Sequence, residues 1–210
     1  RISSEIGDED TYEETTGIRV AQITGQGFAL NGKPLKLWGV TATSKANIGL
    51  AASNEAQRRE ARLLKSMGIN AVRLSHYPQS PAFLDECDRQ GLILIEPVPG
   101  WQFCTGGVFR KRLLQNIRDM IRRDRNHPSV MVFEVSPNET PTFLRGASHR
   151  FFRRLNHAGN GELPACITSG DTAGRNDVEK VGYDLPYTGD DAKSKRRGPF
   201  GGKRPTLTRE

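Results

Sequence analysis

Two glutamates stand where apolar strands run out. Val130, Met131, Val132, Phe133 and Val135 lead into the adjacent pair Asn138-Glu139, and Thr206-Leu207-Thr208-Arg209 leads into Glu210. A carboxylate at the mouth of a hydrophobic strand is costly to bury and is usually kept there for chemistry. Two such groups converging on one cleft meet the needs of glycosidic bond cleavage. One must be protonated to donate to the leaving oxygen, and the other ionised to attack or to activate water. Glu139 suits the acid/base role, because partial burial and a neighbouring carboxylate raise a pKa. Glu210 suits the nucleophile role, although spacing alone leaves open a merely solvated glutamate at the chain end.

The elements that must position these groups follow from periodicity. The first thirty or so residues are polar and then alternate around Ile18 and Val20, and Asn31-Gly32 interrupts the run from Phe28 to Leu37 with a strong hairpin signal. Beyond it, strands are predicted at 35–40, 71–74, 92–95, 130–135, 165–168, 181–184 and 206–209. Helices are predicted at 54–67, stopped by Gly68, and from Ser80-Pro81 to Gly91. Two more are expected from Arg110 onward and at 147–155. Seven strands alternating with helices give either an open doubly wound sheet or a (β/α)8 barrel. No glycine-rich phosphate loop follows a strand, which weighs against the nucleotide-binding form. In a barrel, reactive residues sit at the C-terminal strand ends. His76 after the second strand, Trp101 after the third, Glu139 after the fourth, Tyr183 in the sixth and Glu210 after the seventh would share one rim.

Composition narrows the alternatives. The chain has 210 residues, an apolar share of 35% and a formal charge of +7, enough for a real core. No run approaches the roughly 18 apolar residues of a membrane span, and the N-terminus shows no secretory pattern; the compartment is unreadable. Cys87, Cys104 and Cys166 lack metal-ligand or disulfide-framework spacing and read as free thiols. In the basic stretch 110–125, Leu113, Ile117, Met120 and Ile121 recur on one helical face, so Arg110, Lys111, Arg118 and Arg122 read as its wet side. The basic stretch 193–209 reads as a loop with one aromatic, Phe200, a poor platform for nucleic acid. His127 reads as structural, in the turn before the fourth strand.

The segments Asn70-Ala71-Val72-Arg73-Leu74-Ser75-His76-Tyr77-Pro78 and Asp124-Arg125-Asn126-His127-Pro128-Ser129 through Asn138-Glu139 resemble the two signatures of glycoside hydrolase family 2. That family is the β-galactosidase, β-glucuronidase and β-mannosidase group. Residues 28–40 and 204–210 are similar to the family's first barrel strand and to the strand bearing its nucleophile. The resemblance implies a retaining β-glycosidase barrel that is incomplete at about seven strands. It further implies that residues 1–27 are the tail of a preceding β-sandwich domain or a linker, and that 28–210 are a partial catalytic barrel. It assigns Glu139 as acid/base, Glu210 as nucleophile, Asn138 to the sugar 2-hydroxyl, Arg73 and His76 to the sugar subsite and Tyr183 to holding the nucleophile. Trp101 could stack on a sugar face. In a retaining enzyme the two carboxyl groups lie about 5 to 5.5 Å apart.

Some positions depart from the pattern. Thr41-Ala42-Thr43 follows Gly39-Val40 in place of Asn-Arg-His, Phe133-Glu134 replaces Trp-Gly or Trp-Ser, Leu74 replaces a small residue and Pro97 replaces an acid. The expected activity is a retaining exo-β-glycosidase of β-galactosidase type, with β-glucuronidase or β-mannosidase specificity as alternatives and a non-catalytic sugar-binding remnant as the rival class. The expected partners are a carbohydrate and the rest of a longer polypeptide, including upstream β-sandwich domains and a closing strand, with neither nucleic acid nor membrane. No cofactor is required by this chemistry; a divalent cation is compatible with it but not supported by the sequence.

Overall fold

The structure is a computed structural model that describes residues 2–3, 9–24, 27–42, 51–100, 106–137, 145–163, 167–171, 178–181 and 206–208. A short ribbon of β1 (Ile2–Ser3) and β2 (Glu9–Asp10) comes first. Then β3 (Ala21–Thr24), β4 (Gly27–Leu30) and β5 (Lys33–Pro34) form a three-stranded antiparallel sheet. Asn31 and Gly32, with φ of 51° and 77°, make its two-residue turn, as the Asn-Gly signal predicts.

Seven parallel strands follow: β6 (Gly39–Ala42), β7 (Ala71–Leu74), β8 (Ile93–Pro97), β9 (Val130–Glu134), β10 (Ile167–Asp171), β11 (Val178–Val181) and β12 (Thr206–Thr208). They lie side by side in chain order, each pairing with the next in parallel register. A doubly wound sheet would reverse that order at a switch point. No reversal occurs among the described strands, so the architecture is a (β/α)8 barrel with seven strands described. The helices are α1 (Asn54–Ser66), α2 (Pro81–Gln90), α3 (Gly107–Asp124) and α4 (Arg145–Glu162).

Local chemistry explains the helix ends. Ser53 caps α1 by accepting the Ala56 N–H, and Gly68 beyond it takes φ +82°. Ser80 caps α2 by accepting the Phe83 N–H, Pro81 occupies the first turn, and Gly91 closes the helix in the left-handed region at φ +65°.

Alternation along the strands, interrupted in β9 where Met131 is an extra residue between the partners of Leu94 and Ile95, separates two cores. Val72, Leu74, Leu94, Val130 and Phe133 point outward and pack with Ala61, Phe83, Leu84, Cys87, Leu113, Ile117, Met120 and Ile121 from α1, α2 and α3, joined by Phe151 and Leu155 of α4. Ala71, Ile93, Ile95, Met131 and Val132 form the second cluster, against Ala21, Phe28, Leu30, Leu35 and Leu37. Ala71 and Ile93 open their strands, so the β3–β5 sheet plugs the N-terminal pole. The C-terminal pole is the one left for a site.

The strand expected at 35–40 is corrected by this packing: Leu35 and Leu37 belong to the plug, and β6 begins only at Gly39. There β6 approaches β7 so closely that a Cβ on Gly39 would lie 2.6 Å from the Ala71 carbonyl oxygen. The strand expected at 71–74 is matched, and those expected at 92–95, 130–135, 165–168, 181–184 and 206–209 correspond to 93–97, 130–134, 167–171, 178–181 and 206–208, with 165–166, 182–184 and 209 outside the described residues; α4 runs longer at both ends than the predicted 147–155. The inward face of α3 is as expected. Its basic side is tied down, with Arg122 in a two-pronged pair with Glu162 of α4 at 2.7 and 2.8 Å and Arg118 3.8 Å away.

Candidate active site

Arg73, the third residue of β7, is the expected site residue that the structure describes most fully. It alternates with inward-facing Ala71, and Glu134, the last residue of β9, alternates with inward-facing Val132. The two meet across β8: Arg73 Nε donates to Glu134 Oε2 at 2.9 Å, and Nη2 donates to Oε1 at 2.7 Å. Such a fork fixes both groups in one plane. The arginine side chain is 7% exposed and the carboxylate 0%. Both lie toward the C-terminal ends, above the plug. His76 follows β7 by two residues, is partly buried, and is joined to Ser75 by a cis peptide.

Asn138, Glu139, Glu210, Tyr183, Trp101, Cys104 and Cys166 lie outside the described residues. In the chain, Asn138-Glu139 comes four and five residues after the end of β9, and Glu210 two after the end of β12. Of the expected site residues, Arg73 and His76 are among those described.

Two further polar clusters belong to the support. Glu96, between inward Ile95 and Pro97, points outward to the end of α3, where Asp124 is also fully buried and Arg123 Nη2 stands 3.7 Å away. With both acids ionised, neither Glu96 oxygen finds a donor among the described residues. A proton on Glu96 turns it into a donor to Asp124. Burial first, and the Asp124 charge next, hold the Glu96 carboxyl well above the usual carboxylate range.

In the second cluster, His127 Nδ1 lies 2.7 Å from Asp88 and 3.9 Å from Asp85. These three could offer ligand atoms to a cation, all within 4.8 Å of one another. The cluster precedes β9, at the opposite end of the strand from Glu134, and Asp88 is already engaged by His127 and the Ser129 N–H. The structural role expected for His127 matches this placement. Cys87 is a buried free thiol, raised far above its ordinary pKa by burial.

A family profile, "Glycosyl hydrolases family 2, TIM barrel domain", matches residues 21–158. The chain belongs to that family. A β-galactosidase of Thermoanaerobacterium thermosulfurigenes is 37% identical over 163 residues, covering 77% of this chain and 22% of that protein. A β-glucuronidase of Sus scrofa is 34% identical over 153 residues, covering 70% and 23%. Among solved structures, a Parabacteroides merdae β-glucuronidase superposes with a TM-score of 0.72 at 29% identity, covering 84% of this chain and 24% of that one. The chain thus spans about a quarter or less of the length of these family 2 relatives. No helix among the described residues is long and apolar enough to cross a membrane.

The pairing of Arg73 with Glu134 is not legible in the sequence. Glu134 is separated from Arg73 by 61 positions, and its sequence signals, a charge in an otherwise apolar strand and a departure from the family pattern, name no partner.

Proposed function

We propose that this barrel is the catalytic portion of a retaining exo-β-glycosidase that removes terminal β-galactosyl residues. Glu139 serves as acid/base and Glu210 as nucleophile. The observation that carries the reading is the likeness to β-galactosidases over most of the chain, joined to a sheet whose parallel strands lead into both glutamates. Glu139, protonated, donates to the leaving oxygen as Glu210 attacks the anomeric carbon. The Glu139 carboxylate then takes a proton from the water that releases the sugar from Glu210. Asn138 hydrogen-bonds the 2-hydroxyl, with the contact strengthening in the transition state. His76, Tyr183 and Trp101 shape the sugar pocket. The upstream β-sandwich and closing strand of the longer polypeptide complete the enzyme.

The test is a comparison of leaving groups. Glu139→Gln should retain much more activity on activated aryl β-galactosides than on unactivated ones, because a good leaving group needs little protonation. Glu210→Gln should abolish both. Equal losses in Glu139→Gln, or turnover by Glu210→Gln, would remove the assignments.

A further inference from the structure

Past the ends of β8 and β9 the two stretches of chain run on side by side. Pro97 is in register with Glu134, and the Val98 N–H donates to the Glu134 carbonyl oxygen at 2.8 Å. Two residues further on, Gly100 faces Pro137: a Cβ on Gly100 would lie 3.3 Å from the Pro137 Cβ and 3.5 Å from its Cγ. Gly100 also has a φ of +150°, a conformation that residues with side chains rarely adopt. Among the described glycines with a positive φ, it alone combines that backbone with a neighbour so close. Backbone and crowding each exclude a side chain here.

The neighbour matters because it is a proline. A flexible side chain could turn aside from an intruding methyl group, but the pyrrolidine ring is tied into the backbone. Pro137 is buried, so it can yield only by moving its own stretch of chain. That stretch continues directly into Asn138-Glu139, and Trp101 comes directly after Gly100. The contact therefore sets the separation of two strand exits at the C-terminal pole, where barrels hold their ligands.

We infer that Gly100 is a positioning residue for the acid/base Glu139: its bare α-carbon lets the β8 exit close on Pro137 and so fixes the distance from which Glu139 meets the leaving oxygen. This rests on the β-glycosidase reading above and adds to it a residue that acts through another, by way of the backbone. Proton donation works over heavy-atom separations of about 2.6 to 3.2 Å, and a misplacement of about 1 Å can cost about a hundredfold in rate. A methyl group at 3.3 Å asks its neighbour to give by a few tenths of an ångström. A shift of that size in the proton donor should cost about tenfold.

The experiment uses the native-length polypeptide and compares the wild type with Gly100→Ala, Glu139→Gln and the double variant Gly100→Ala/Glu139→Gln. Gly91→Ala is the control, since Gly91 has a left-handed backbone with nothing within 4 Å of an added Cβ. The substrates are dinitrophenyl β-galactoside, whose leaving group needs little protonation, and phenyl β-galactoside, whose leaving group needs it; if the wild type prefers a β-glucuronide or β-mannoside, the same two leaving groups on that sugar serve. In Gly100→Ala, kcat/KM should fall about tenfold on the phenyl glycoside and less than about twofold on the dinitrophenyl one. On a Glu139→Gln background the same substitution should change neither, because the donor it positions is gone. Gly91→Ala should leave both unchanged. Equal losses on the two glycosides, no loss on either, a further loss in the double variant, or the same selective loss in Gly91→Ala overturns the inference. Should Gly100→Ala fail to fold, Pro137→Gly replaces it. That variant deletes the ring atoms facing Gly100 and should show the same selective loss; none overturns the inference. The reading beneath it fails by a different mark. A wild type inactive on all three sugars, or a Glu139→Gln that loses both leaving groups equally, removes the acid/base and the inference with it, whatever Gly100→Ala does.

Discussion

His127 Nδ1 lies 2.7 Å from Asp88 Oδ2, and the other oxygen of that carboxylate accepts the Ser129 backbone N–H at 2.8 Å. One side chain of α2 thereby fixes the turn that launches β9, the strand leading to Asn138-Glu139. Asp88→Ala removes the acceptor from two donors at once and should destabilise the fold by about 1 to 3 kcal/mol. Equilibrium urea unfolding measures it.

The same contact makes stability depend on pH. The hydrogen bond to Asp88 is the largest cause raising His127 above 6.5, and the charges of Asp88, Asp124 and Asp85 add to it against the cost of burial. A raised folded-state value means that the folded protein holds the proton more tightly than the unfolded chain. The stabilisation is fully present below about 6.5 and is lost as pH rises through the higher folded value. Urea midpoints across this range should fall with pH in the wild type, and the His127 portion of the slope should disappear in Asp88→Asn. An identical slope in both would place the linkage elsewhere.

Glu96 also loses stability as pH rises, in a window that starts lower. Its carboxyl is raised above 4.5 chiefly by burial, with the Asp124 charge next and Arg123 opposing. The folded state again holds the proton more tightly, so stability is greatest below about 4.5 and declines as pH climbs toward the folded value. Glu96→Gln keeps the shape, can donate to Asp124 without ionising, and should be more stable than wild type at alkaline pH with a flatter profile. Thermal melts at several pH values check it. A variant less stable than wild type at every pH would show that the ionised pair with Arg123 is the stabilising form.

Residues whose conformation is set by near neighbours were legible in the sequence. Ser80, Pro81 and Gly91 delimit α2 as expected, because capping and a left-handed stop act within one turn. Residues 35–38 misled because an apolar run looks the same whether it forms a barrel strand or plugs the barrel floor; only the fold separates Leu35 and Leu37 from Val40. The end of α4 was under-read for the opposite reason. Asn156, Gly159, Asn160 and Gly161 are poor helix formers, yet packing of Leu155 and Ala158 carries the helix through them to Glu162. Arg73 was legible as a residue of the second strand, but its pairing with Glu134 was not, since nothing local reports a partner two strands away.

Two glycines separate strain from crowding. Gly91 has φ +65° with nothing within 4 Å of an added Cβ, whereas a Cβ on Gly39 would lie 2.6 Å from the Ala71 oxygen. Gly91→Ala should cost about 1 kcal/mol, from left-handed backbone alone. Gly39→Ala must push β6 from β7 and should cost about 1 to 3 kcal/mol. Gly39→Ala should also speed hydrogen exchange of the Ser75 N–H, which donates to Ala42 at the end of the same pair of strands. Equal costs with unchanged exchange would mean that the strands absorb the methyl group without separating.

The docking of α4 on α3 offers a choice between two kinds of contact. Arg122 and Glu162 make a well-formed double bond across the helices, but the arginine is 56% exposed, and water competes for both partners. Exposed pairs of this kind contribute little because screening and side-chain entropy offset the attraction. Leu155, by contrast, is fully buried against the outer core. Leu155→Ala loses its transfer free energy and leaves a cavity, for a cost of about 2 to 5 kcal/mol. Arg122→Gln should leave the urea midpoint nearly unchanged in moderate salt, and Leu155→Ala should lower it sharply at any salt. The reverse ranking would make the ion pair the clamp and the apolar contact incidental.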